Sequence, residues 1–106
     1  AGFCHEVVER VRAARPEART LLFGHVGDGN VHVNVAGPPA DDEEVDDLVL
    51  ALVVERGGSI SAEHGIGTLK RRWLERDRSP AEVAAMRAVK RALDPDGVLN
   101  PHAVLP

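Results

Sequence analysis

The chain of 106 residues has a single cysteine, Cys4. An internal disulfide is therefore excluded, and a reducing compartment such as the cytosol is favoured. Long apolar runs are absent: none approaches the ~20 residues a membrane-spanning helix needs. No basic segment leads into an apolar stretch at the start, so no signal peptide is visible. Positive charge is not in excess, with 13 Lys+Arg against 17 Asp+Glu and a net charge of −4. Phosphate binding usually needs a basic footprint, so nucleic acid is not the expected partner. Internal repeats and low-complexity segments are also missing. What remains is 43% hydrophobic and 28% charged, the composition of one compact domain over residues 1–106. A domain of this size buries roughly 60–65% of the surface its unfolded chain exposes.

Periodicity orders the elements. Residues 3–15 put Phe3, Val7, Val8 and Val11 at helical spacing, and Pro16 stops that helix. Residues 20–26 and 30–36 are rich in β-branched and apolar residues and read as strands. After a loop over 37–41, a helix over 42–56 opens on Asp41, Asp42, Glu43 and Glu44, acids that suit the positive end of its dipole. Val45, Leu48, Val49, Leu52 and Val53 form its stripe, and Gly57-Gly58 ends it. Residues 59–63 read as a short strand. Residues 68–76 read as a basic amphipathic helix, with Lys70, Arg71 and Arg72 on a solvated face. Ser79, Pro80 and Glu82 match a capped helix start. Val83, Met86, Val89, Ala92 and Leu93 make the apolar side of that last helix. The order predicts an α+β fold: a small, mainly antiparallel sheet covered by helices.

Chemistry concentrates in two segments. Asp28-Gly29 suggests a two-residue type I′ hairpin turn. In that register His25 faces His32 across the strands, with Cβ atoms ~4.5–5.5 Å apart. Two imidazoles at that spacing can share a metal through bonds of ~2.0–2.1 Å. Asn34 projects from the same face as His32, and Val31, Val33 and Val35 from the other. The bland alternative is a solvent-facing histidine pair. The second segment, residues 61–67, sets Glu63 beside His64 ahead of Gly65 and Gly67. On a strand these neighbours point to opposite sides; at a bend they can serve one site. Two histidines, one carboxylate and open positions form a familiar catalytic metal set. The bland reading of Glu63-His64 is a surface ion pair. Cys4, Trp73 and Met86 are expected in the core, and His102 has no assigned role.

GHVGDGNVHVNV (24–35), GGSISAEHGIGTLK (57–70) and ALDPDGVLNP (92–101), in this order, resemble the C-terminal domain of FAD-linked oxidases of the D-lactate, D-2-hydroxyglutarate and glycolate-oxidising type. The resemblance covers about residues 20–106. It implies a ferredoxin-like half of a flavoprotein cap domain, with the FAD-binding domain and the cap's first half outside this chain. It implies FAD and a divalent metal, zinc or manganese, as cofactors. By position, His25, His32 and Glu63 match the metal ligands, His64 the catalytic base, Asn34 a substrate-site asparagine and Asn100 the asparagine near the flavin. The implied reaction oxidises a small D-2-hydroxy acid to the 2-oxo acid. His64 takes the hydroxyl proton and the flavin accepts a hydride from C2. The electron acceptor is open among a quinone, an electron-transfer flavoprotein and a cytochrome. Where relatives continue Asn-Pro-Gly-Lys, this chain has Asn100-Pro101-His102-Ala103, which leaves no lysine to carry over. An alkyl-dihydroxyacetone-phosphate-synthase-like flavoenzyme is the near alternative, but Glu63 departs from its histidine-rich pattern. A metal-binding or interaction module without flavin is the distant one. The expected location is cytoplasmic, or peripheral to a membrane. A sheet face or edge left uncovered invites a dimer.

Overall fold

The computed structural model describes residues 2–39 and 42–106. Asp41, expected at a helix start, and part of the 37–41 loop lie outside the described residues. The elements run α1 (Gly2–Ala14), β1 (Arg19–Phe23), β2 (His32–Ala36), α2 (Glu43–Glu55), α3 (Leu74–Asp77) and α4 (Pro80–Leu93), with single 3-10 turns at Val26–Asp28 and Arg71–Trp73. This is the expected α+β class. The chain forms two compact units, residues 1–55 and 56–106.

In the first unit, β1 and β2 pair antiparallel, with Arg19 opposite Ala36 and Phe23 opposite His32. One face of this ribbon is packed. Leu22, Val33 and Val35 lie against a buried cluster of Val7 and Val11 from α1 and Val45 and Leu52 from α2. Each side chain buried this fully stabilises the unit by roughly 1.5–3 kcal/mol. The period of two then sends Leu21, Phe23 and Asn34 outward. Arg15 ties the helix ends together, with Nε donating to Asp42 Oδ2 at 2.9 Å and Nη2 to Glu44 Oε2.

In the second unit the buried apolar residues are Ile60, Trp73, Leu74 and Val83. The Ser79 capping box forms as the sequence predicts: Ser79 Oγ accepts from Glu82 N, and Glu82 Oε2 accepts from Ser79 N at 2.8 Å. Three expectations here need correction. Residues 59–63 form no strand but a chain of bends, because no neighbouring strand offers them a ladder. The sheet therefore has two strands among the described residues. The helix over 68–76 shrinks to a 3-10 turn and the four residues of α3. The apolar side of α4 is only partly covered: Val83 is buried and Met86 half-buried, whereas Val89 is 59% and Leu93 76% exposed. A four-residue α3 gives the later turns of α4 little to pack against.

Candidate functional site

His25, His32 and Asn34 belong to the first unit. Their arrangement differs from the expected hairpin. The strands end at Phe23 and start again at His32, so Phe23, not His25, is the cross-strand partner of His32. A two-residue type I′ turn would need positive φ at Asp28. Yet among the described residues the non-glycine positions with positive φ are Asn100 and Val104, and Asp28 is not one of them. The chain instead makes a wider connection over residues 24–31. The carbonyl of His25 accepts two backbone donors, Asp28 N at 3.0 Å and Asn30 N at 3.2 Å. Gly24, at φ +149°, lets the two arms approach: a Cβ there would stand 2.3 Å from Asn30 O. His25 is therefore an exposed loop residue at the neck of this turn, beyond the end of β1.

His32 is half-buried, and its ring stacks on Phe23 with centroids 4.9 Å apart and planes at 11°. The stacked aromatic ring fixes the plane of the imidazole. Asn34 lies two residues on, opposite Leu21, and is exposed. The alternation that places Asn34 on the face away from Val33 and Val35 is as expected.

Glu63, His64 and Asn100 belong to the second unit. Glu63 and His64 follow the bend reading rather than the strand reading. Glu63 Oε2 and His64 Nε2 stand 4.0 Å apart, so a carboxylate and an imidazole face each other at the surface of one loop. Their side chains are 39% and 75% exposed, respectively. By chemistry this donor set fits a divalent cation: carboxylate oxygen and imidazole nitrogen suit zinc or manganese, and neither group is sealed from solvent.

Asn100 adopts a left-handed conformation, φ 44°. The turn leading into it is organised by Asp94, a buried carboxylate. Asp94 Oδ1 accepts from Val98 N at 2.9 Å and Oδ2 from Leu99 N at 3.0 Å, while Lys90 Nζ bonds both Asp94 and the Leu99 carbonyl. The Lys90 hydrogen bond, with those from Leu99 and Val98, holds the Asp94 carboxyl below the usual carboxylate range against the cost of its burial. Asn100 is thereby presented, exposed, on a fixed turn.

The sequence reading missed the ties around residues 59–67. Lys70 and Arg71 are half-buried, not a solvated face. Lys70 Nζ donates to Ile60 O at 2.7 Å, and Arg71 Nε donates to Leu105 O. No local signal marks them, because each partner is ten or more residues away.

The profile of the FAD linked oxidases, C-terminal domain, matches residues 1–104. This chain belongs to that family. A D-2-hydroxyglutarate dehydrogenase of Stutzerimonas stutzeri is 43% identical over 111 residues, covering 97% of this chain and 24% of that protein. The mitochondrial D-2-hydroxyglutarate dehydrogenase of Arabidopsis thaliana is 40% identical over 92 residues, covering 84% and 16%. A D-2-hydroxyglutarate–pyruvate transhydrogenase of Saccharomyces cerevisiae is 40% identical over 107 residues, covering 91% and 21%. The chain thus spans a quarter or less of the length of these relatives. No helix among the described residues is long and apolar enough to cross a membrane.

Proposed function

We propose that this chain is the C-terminal part of an FAD-dependent oxidoreductase that converts a D-2-hydroxy acid to the 2-oxo acid, with D-2-hydroxyglutarate as the favoured substrate. The observation that carries this reading is the 43% identity, over 97% of the chain, to a protein named for that activity. Lactate and glycolate are the other substrates to compare. In this reading His25, His32 and Glu63 supply ligands to a divalent metal, zinc or manganese. When bound, the flavin supplies the two-electron redox chemistry and the metal the Lewis acidity that eases loss of the hydroxyl proton.

The chain's own side chains do the rest. His64 takes the hydroxyl proton on its imidazole as general base. Glu63 stands beside it, with Oε2 4.0 Å from His64 Nε2. The amide of Asn34 hydrogen-bonds the substrate. Asn100, on the turn fixed by Asp94, contacts the flavin. The bend at residues 62–64 supports the paired roles of Glu63 and His64, since a regular strand would separate them. The exposed Leu93, Val98 and Leu99 support a contact with the flavin-bearing part of the polypeptide. The single cysteine suits the cytoplasm, which we take as the location.

The test is dye reduction by the flavoprotein that carries this chain, with D-2-hydroxyglutarate, D-lactate and glycolate offered separately. The expected result is fastest reduction with D-2-hydroxyglutarate. Flavin that stays oxidised with all three acids contradicts the proposal.

A further inference from the structure

The loop that carries Glu63 and His64 has neither a ladder nor a helix to place it. Bonds from outside the loop hold both of its ends. At the entry stands Ile60, whose side chain is 4% exposed. Both of its backbone polar groups are taken by charged side chains. Asp77 Oδ1 accepts from Ile60 N at 3.1 Å, and Lys70 Nζ donates to Ile60 O at 2.7 Å. Within the loop, Ser61 Oγ donates to Gly65 O. At the exit, Val104 N donates to Gly67 O at 2.7 Å.

The Asp77 side chain is 1% exposed. Among the described residues its second oxygen, Oδ2, accepts no hydrogen bond, and it stands 3.2 Å from Arg78 Nε. Arg78 Nη2 in turn donates to Ser59 Oγ at 3.1 Å. A buried carboxylate is a costly way to satisfy one backbone N–H, because desolvation offsets much of the gain. What charge adds is strength and direction, since charge-assisted bonds are roughly twice as strong as neutral ones.

We propose that Lys70 and Asp77 are positioning residues for the Glu63–His64 pair. They grip Ile60 from both sides and so fix where the carboxylate and the imidazole stand a few residues later. The inference rests on the proposed roles of Glu63 and His64, and it adds two residues that act through the Ile60 backbone.

The test uses the whole flavoprotein with Lys70→Met, which keeps the stem and removes the donor, and Lys70→Arg, which restores one. Three quantities are read: amide exchange over residues 61–67, metal affinity by chelator competition, and kcat at fixed FAD content. Lys70→Met is expected to speed exchange about tenfold and to lower metal affinity and kcat each about tenfold or more. FAD content stays unchanged, and Lys70→Arg recovers most of the loss. Parent-like exchange, metal affinity and kcat in Lys70→Met overturn the proposal. If the parent itself holds no metal, the metal reading fails and exchange alone decides: faster exchange upholds the positioning role, and unchanged exchange overturns it. Should Lys70→Met not fold, Asp77→Asn, which keeps Oδ1 and removes the charge, is read in the same way.

Discussion

Phe23 and His32 face each other across the β ladder with their rings stacked, 4.9 Å between centroids and 11° between planes. The pair is worth about 0.5–1.5 kcal/mol beyond its buried area. Phe23 is 56% exposed, so burial adds little to that figure. Phe23→Ala should therefore cost about 1 kcal/mol in urea denaturation. It should also release the His32 ring, seen as averaging of its imidazole resonances.

Gly24→Ala should be more damaging. The new Cβ would meet the Asn30 carbonyl at 2.3 Å, at a φ of +149° that side chains rarely adopt. The expected loss is about 1–3 kcal/mol, with displacement of the His25 turn. A thermal melt gives the first quantity and chemical-shift changes at His25 and Asn30 the second.

The turn and the loop show where sequence reasoning holds and where it stops. The Ser79–Glu82 cap was legible because all its partners lie within four residues. The stripes of α1 and α2 were legible because periodicity alone defines them, and Val7, Val11, Val45 and Leu52 are buried as expected. The pairing of His25 with His32 was not legible. It depended on the backbone at Asp28, where composition favours a tight turn but the chain makes a wider one. The strand at 59–63 failed for a different reason: β-propensity is realised only beside another strand. The adjacency of Glu63 and His64 could be read directly. Their anchors could not, since Lys70 and Asp77 reach Ile60 from ten and seventeen residues away.

Ser79→Ala should lower stability by about 1 kcal/mol. It removes the acceptor for Glu82 N and the hydroxyl that donates to Glu82 Oε2. Ser79→Thr, which keeps the hydroxyl, should retain most of the capping energy, so a chemical-denaturation series over the two variants separates capping from a general loss of helix.

Acid should weaken the fold in a defined window. The carboxyls of Asp42, Asp94 and Glu82 are held below their ordinary values, chiefly by hydrogen bonds from Arg15, Lys90 and Ser79, respectively. For a depressed carboxyl the unfolded chain binds the proton more readily. The stabilisation is then complete above the unfolded value, about pH 4, and is lost as pH falls through the lower folded values. The denaturation midpoint should hold above about pH 5 and decline below about pH 4. In Asp94→Asn the midpoint should start lower and decline less.

The proposed function makes His32 a ligand of a catalytic metal in an FAD-linked oxidoreductase. It is tested most directly by metal content and D-2-hydroxyglutarate turnover in the flavoprotein that carries this chain, compared with its chelated form and with His32→Ala. His32→Ala is expected to lose metal and turnover together while keeping FAD, and zinc or manganese to restore the chelated parent. Full turnover by the parent after its metal has been removed would contradict it.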